Sequence, residues 1–532
     1  MARHVTAREL KAMLDDATMP GGRELALIDL REEHPYSESH LLHARSLPLS
    51  RLELRLAALV PRRATRIVLC DGGEGLAERA AMLLARFGYS DVALLAGGIE
   101  AWDKAGYTLF SGVNVPSKAF GEFVEHDSAT PSIAPEELEA LMRAHADMVV
   151  LDSRPFDEYS RVSIPTGIDV PGAELVLRAR DLAPDPATLV VVNCAGRTRS
   201  IIGAQSLIDA GLPNRVVALR NGTMGWTLAG FTPDHGSTRR APAPSEQALA
   251  WAKEAAARIA QRCRIQRIDR ATLDAWQEEP GRTTYLFDVR DPGEYEAGHV
   301  PGAVSAPGGQ LVQGTDQFVG TLGARLVLID PLEVRALMTA SWLKRMGWDD
   351  VFVLPEEGRE TGRPGPFVLG LDDEPVPAID AAWLADLIAG GDVRVVDLST
   401  SRAYREGHIE GAWFAIRARL DVALPRVPAG GTLVLTSEDG VLARLAVGEA
   451  QALGRDPVLH LEGGNRAWAA SGGALVAGAG AMADEPLDLW LKAYERASGV
   501  REAMVDYLQW EVELINRIAE DGTCHFSPLP PA

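Results

Sequence analysis

Short, continuous apolar runs punctuate this chain at domain-sized intervals. Four of them end in aspartate: Leu27-Ile28-Asp29, Val150-Leu151-Asp152, Leu286-Phe287-Asp288 and Val395-Val396-Asp397. A tyrosine stands seven residues after each aspartate, at Tyr36, Tyr159, Tyr295 and Tyr404. A second run follows in every unit: Ile67-Val68-Leu69, Leu189-Val190-Val191-Val192, Leu326-Val327-Leu328-Ile329 and Leu433-Val434-Leu435. Helical segments come next and end near Gly88, Gly211, Gly347 and Gly454. In three units a further apolar run leads to a glycine turn and a tryptophan: Gly97-Gly98 with Trp102, Asn221-Gly222 with Trp226, and Gly463-Gly464 with Trp468. Strands without polar alternation are covered on both faces, and their alternation with helices makes them parallel. A period of about 110–135 residues is too long for a solenoid and right for whole domains. The pattern predicts an α/β protein of four tandem domains, each a small parallel sheet with helices on both faces. Ligand chemistry is then expected at the C-terminal ends of the strands.

The boundaries follow from the punctuation. The units are expected at 1–115, 128–235, 264–370 and 376–478. A linker and helix fill 236–263, and a C-terminal helical segment fills 484–532. The linker opens on Gly236-Ser237-Thr238-Arg239-Arg240-Ala241-Pro242-Ala243-Pro244, after which Ser245 is placed to cap an alanine-rich helix through Arg262. In the last segment Val500, Met504, Leu508, Glu511 or Val512, Ile515 and Ile518 keep helical spacing. That face suits either packing on a domain of the same chain or a homodimer contact.

Length agrees with several domains, since 532 residues exceed what one core holds. A formal net charge of −21 excludes nucleic acid and anionic membrane as partners, because both demand a basic surface. Any anion site must therefore be locally basic. No apolar stretch is long enough to span a membrane. The four cysteines, Cys70, Cys194, Cys263 and Cys524, are scattered, with neither a disulfide pattern nor metal spacing. No metal and no cofactor is expected, and the setting is a reducing cytoplasm.

One loop carries chemistry. After the second run of the second unit stands Cys194-Ala195-Gly196-Arg197-Thr198-Arg199-Ser200, where strand turns into helix. Loop amides, a helix N-terminus and two arginines all favour a thiolate. The same donors would cradle a small oxyanion. Cys194 is the expected nucleophile, with Ala195, Gly196, Arg197, Thr198, Arg199 and Ser200 binding the substrate. Arg154, two residues past Asp152, either orients the loop or pairs with Asp152.

At this point the chain resembles the rhodanese family. The third unit carries the family's opening motif as Asp288-Val289-Arg290, then Glu294-Tyr295-Glu296-Ala297-Gly298-His299-Val300-Pro301-Gly302-Ala303; the fourth repeats it at Gly407-His408-Ile409-Glu410-Gly411-Ala412. The resemblance implies a catalytic cysteine, matched by Cys194. It would carry sulfane sulfur, as a persulfide, from a small anionic donor such as thiosulfate to a thiophilic acceptor such as cyanide. The alternative is a persulfide carrier or scaffold that serves a protein sulfur acceptor without turning over. A phosphatase is disfavoured: similar loops in dual-specificity phosphatases hold an arginine six residues after the cysteine, and here Ser200 stands there.

The sister loops are poorer. Cys70 falls in the first unit's loop, Cys70-Asp71-Gly72-Gly73-Glu74-Gly75, with two carboxylates and no arginine. Asp330 aligns with the cysteine in the third unit, and Thr436 or Ser437 in the fourth. Those units are expected to be inactive. His299 and His408, with His40 and His43, are expected to satisfy backbone carbonyls.

Overall fold

A computed structural model describes residues 3–365, 367–371 and 375–531. Each apolar run is a fully covered strand, as at Leu189–Asn193 and Arg325–Ile329. The four main sheets are parallel throughout and share one spatial order. In the first unit the order is Arg3–Val5, Asp91–Leu95, Arg66–Cys70, Ala26–Asp29, Arg45–Ser46. In the second it is Ser132–Ile133, Val216–Leu219, Leu189–Asn193, Met148–Asp152, Ile168–Asp169. The third repeats it, and the fourth adds a sixth strand, Ala481–Met482, at its edge. The second apolar run thus lies at the centre of every sheet, and its carboxyl end opens into the loop where chemistry is expected.

Local signals fix the helices. Ser245 caps Glu246–Arg262 by accepting the Ala248 amide at 3.2 Å. Gly88, Gly211, Gly347 and Gly454 follow their helices with positive φ, which spares them the Cβ clash that other residues meet there. The tyrosine of each unit donates its hydroxyl to a backbone carbonyl eight residues on, as Tyr159 does to Gly167 at 2.8 Å. His40, His299 and His408 bond the carbonyls of Tyr36, Tyr295 and Tyr404 at 2.8–3.0 Å and stack on those rings. His43 differs: its Nε2 meets the Thr523 hydroxyl at 2.8 Å.

The units pack on one another. A single core cluster runs from the second unit through the helix Glu246–Arg262 into the third. Trp342 Nε1 donates to Ser206 Oγ across that junction at 2.9 Å. Arg417 of the fourth unit clamps Glu53 of the first through two 2.8 Å bonds, with both side chains buried. Between the first two sheets lies a helix, Val115–Ser128. The C-terminal helix Val500–Asp521 packs on it with Met504, Leu508, Glu511, Leu514 and Ile518 turned inward. Its inner face is thus covered within the chain. Among the described residues no helix is long and apolar enough to cross a membrane.

Candidate active site

Sheet register decides which residue of each unit occupies the working position. Asn193 is the last residue of its strand and pairs with Asp152. The same place is held by Cys70 opposite Asp29, Ile329 opposite Asp288 and Thr436 opposite Asp397. Their carbonyls accept the amides of Ser153, Leu30, Val289 and Leu398 at 2.8–3.2 Å. The residue after that strand end is therefore Cys194 in the second unit, Asp71 in the first, Asp330 in the third and Ser437 in the fourth. Cys70, expected in the loop, belongs to the strand instead, one residue short of the position of Cys194. Its thiol donates to the Ile28 carbonyl at 3.5 Å, and burial, with Asp29 and Asp71 nearby, pushes it well above the usual thiol range.

A second set of bonds fixes the same alignment. The carbonyls of Cys194, Asp71 and Ser437 accept the amides of Thr223, Ile99 and Asn465 at 2.8–3.0 Å. Gly222, with φ of +55°, makes this approach feasible: a Cβ there would lie 2.2 Å from the Cys194 carbonyl oxygen. That close contact is why the turn before Trp226 carries glycine.

The loop itself differs in what its amides hold. The Asp71 carboxylate accepts the Gly73 and Ala77 amides at 2.9 and 3.0 Å. Asp330 accepts those of Leu332 and Arg335 at 3.1 and 2.8 Å, and also the Arg335 guanidinium at 3.0 Å. These units fill their anion cradle with their own carboxylate. In the second unit the amides from Ala195 to Ser200 donate to no acceptor among the described residues. Cys194, only 2% exposed, has its Sγ 3.5 Å from Ser200 Oγ, which in turn donates to the Arg197 carbonyl at 2.8 Å.

The remaining residues of the loop divide in two. Arg199 lines a cavity of about 300 Å³ together with Ala195, Met224, Glu158 and Gln310. Its guanidinium binds Glu158 at 2.8 and 3.4 Å and Gln310 of the third unit at 3.3 Å. Burial opposes the Arg199 charge, but the Glu158 carboxylate outweighs it and holds the guanidinium above its ordinary pKa. Glu158, despite burial, is brought down to about 2, chiefly by Arg199. Arg197 turns the other way: it binds Glu122 twice at 2.7 Å, also Glu125, and Asn221 at 3.3 Å, and does not line the cavity. Thr198 Oγ1 reaches Glu511 of the C-terminal helix at 3.5 Å. A Cβ on Gly196 would come 2.9 Å from Met224 Cε and 3.1 Å from Glu511 Oε2, so that helix lies directly on the loop. Arg154 is buried, bound to Asp152 at 2.7 and 2.8 Å and to the Val162 carbonyl at 2.6 Å. Asp152 also accepts Asn193 Nδ2 at 2.9 Å, so this pair braces the strand end beneath Cys194.

Several residues around the cavity carry no motif in the sequence. Lys118, Trp490, Lys492, Tyr494 and Tyr507 line it. The Lys118 ammonium donates to the Val113 carbonyl at 2.7 Å and sits 4.7–5.4 Å from the centres of the Trp490, Tyr507 and Trp510 rings. Burial brings it down to about 8. Of the charged side chains lining the cavity, Lys118, Arg199 and Lys492 are cationic and Glu158 is anionic; Glu511 and Asp316 also act on Lys118. The signal for these residues was slight: aromatics gathered in a tail that matches no unit. Among the described residues no cluster of ligating side chains suits a metal ion.

The pattern of the Rhodanese-like domain matches residues 6–105, 134–229, 269–356 and 380–471. A crystal structure of a thiosulfate sulfurtransferase from Pseudomonas aeruginosa is 50% identical, with a TM-score of 0.95, over 99% of this chain and 100% of that one. A probable adenylyltransferase/sulfurtransferase, MoeZ, of Mycobacterium tuberculosis is 36% identical over 101 residues, 19% of this chain and 24% of that protein. The uncharacterized protein YqhL of Bacillus subtilis is 30% identical over 95 residues, 18% of this chain and 74% of its own length. The chain thus spans about a quarter of the length of MoeZ.

Proposed function

Because this chain belongs to the rhodanese family, we propose that it is a sulfurtransferase that moves sulfane sulfur from thiosulfate to cyanide, or to another thiophile, through a persulfide on Cys194. The Cys194 thiolate attacks the outer sulfur of thiosulfate. A bond forms between the two sulfurs, the S–S bond of the donor breaks, and its electron pair leaves with sulfite. Cyanide then takes the outer sulfur as thiocyanate, and the electron pair of the broken bond returns to Cys194. The donor's oxyanion lies on the free amides of residues 195–200, with Arg199 supplying charge. Arg197 holds the loop to the helix Val115–Ser128, and Asp152 with Arg154 fixes the strand that delivers Cys194.

The observation that carries this reading is the contrast among four loops that leave equivalent strand ends. Only the second pairs a thiol with uncommitted amides; the first and third hold their own carboxylates there. All four cysteines are free thiols, which suits a reducing cytoplasm. The test is steady-state thiocyanate formation. Cys194→Ser should lose at least about a thousandfold in kcat, as removal of a nucleophile does, while Cys70→Ser retains full turnover. Full activity in Cys194→Ser would overturn the assignment.

A further inference from the structure

The cavity that reaches Ala195 and Arg199, next to the buried Cys194, is larger than the sulfur donor requires. Thiosulfate is one small tetrahedron, whereas about 300 Å³ is available, at the lower end of the roughly 300–1,000 Å³ that organic ligands occupy. The walls are also of two kinds. Near the loop stands Arg199. Farther along, the rings of Trp490, Tyr494 and Tyr507 form an apolar lining with the ammonium of Lys492 among them. Arg199 claims Glu158 at 2.8 Å, while Lys492 lies 3.7 Å from the same carboxylate. One carboxylate cannot neutralise both cations. Lys118 adds a third, opposed by Glu511 and Asp316.

Access is restricted as well. Cys194 is buried, and Trp490, Lys492, Tyr494 and Tyr507 of the C-terminal segment form one wall of the cleft that reaches Ala195 and Arg199 of its loop. A small thiol enters such a cleft more readily than a cysteine on the face of a folded partner.

We infer that the acceptor is a small organic thiol bearing a carboxylate or sulfonate on a planar apolar body, its anionic end held by Lys492 and its body laid against Trp490, Tyr494 and Tyr507. This rests on the persulfide reading of Cys194. The acceptor thiolate attacks the outer sulfur of the persulfide. An S–S bond to the acceptor forms, the bond to the Cys194 sulfur breaks, and its electron pair restores the Cys194 thiolate. The product is the acceptor's own persulfide, and no oxidant is consumed.

The test uses the full chain loaded with sulfur from thiosulfate, desalted and weighed by mass spectrometry. Transfer is then followed to 4-mercaptobenzoate, to its neutral methyl ester, and to a small folded protein carrying one surface cysteine. The acid should exceed the ester in kcat/KM by at least about tenfold, mainly through KM, and the protein cysteine should be slower than both. In Lys492→Met the preference for the acid should shrink toward parity, and in Lys492→Glu it should reverse, each variant being normalised to the sulfur it carries. A loaded protein that treats acid and ester alike, or that serves the protein cysteine as fast as the acid, overturns this inference alone. A protein that takes up no sulfur overturns the underlying reading and this inference with it.

Discussion

At the scale of single residues, four loops that leave equivalent strand ends differ by what stands first after the strand. Asp71 and Asp330 place an oxyanion of the chain itself on the loop amides, Ser437 accepts the Ala443 amide at 3.4 Å, and Cys194 leaves those amides free. Cys194 stands out in the sequence because its neighbours are cationic and polar. The displacement of Cys70 does not: a shift of one residue turns a strand side chain to the opposite face, and the chain alone does not mark where a strand stops. Likewise Arg197 and Arg199 look alike in sequence. Which one faces the cavity depends on Glu122 and Glu125, carboxylates about 75 residues upstream. A pH dependence belongs here too. Lys118, brought down to about 8 by burial, loses its charge as pH rises from 7 to 9, so the cavity becomes less cationic and holds anions less well. Thiosulfate binding to Cys194→Ser, measured by calorimetry, should therefore weaken severalfold over that range. The decline should flatten in a Cys194→Ser/Lys118→Met double variant.

At the scale of elements, strands and capped helices were readable, because continuous apolar runs and residues such as Ser245 declare themselves locally. The C-terminal helix was readable only in part. Its spacing allowed Glu511 or Val512 on the inner face; the structure buries Glu511 and leaves Val512 46% exposed. An apolar pattern favours the opposite choice, and it fails at Glu511 because there this otherwise apolar face meets the polar Cys194 loop. The helix Val115–Ser128 fell between two units, yet it delivers Lys118 to the cavity and Glu122 to Arg197. The turn at Gly222 binds these elements to the loop. In Gly222→Ala the new Cβ meets the Cys194 carbonyl oxygen and the backbone keeps a positive φ, so stability should fall by at least about 2 kcal/mol. Denaturant unfolding checks the loss, and thiocyanate turnover should fall with it because the loop must move.

At the scale of the whole molecule, the proposed function makes four copies of one domain into one centre and its housing. The third unit lends Gln310 to Arg199 and part of the cavity wall; the fourth braces the first through Arg417 and Glu53. The tail outside the repeats supplies one wall of the cavity. The fourfold repeat was plain in the sequence because each unit repeats its own local pattern. The cavity was not, since its walls come from segments hundreds of residues apart and only packing brings them together. The net charge of −21 set the requirement for a locally basic site, and Arg199, Lys118 and Lys492 meet it. The proposed function requires that this molecule hold a single sulfur-bearing position. Mass spectrometry of the intact protein after thiosulfate treatment measures it most directly. The account predicts a gain of one sulfur, about 32 Da, per chain, mapped by peptide to Cys194. Two sulfurs per chain, or one sulfur on Cys70, would contradict it.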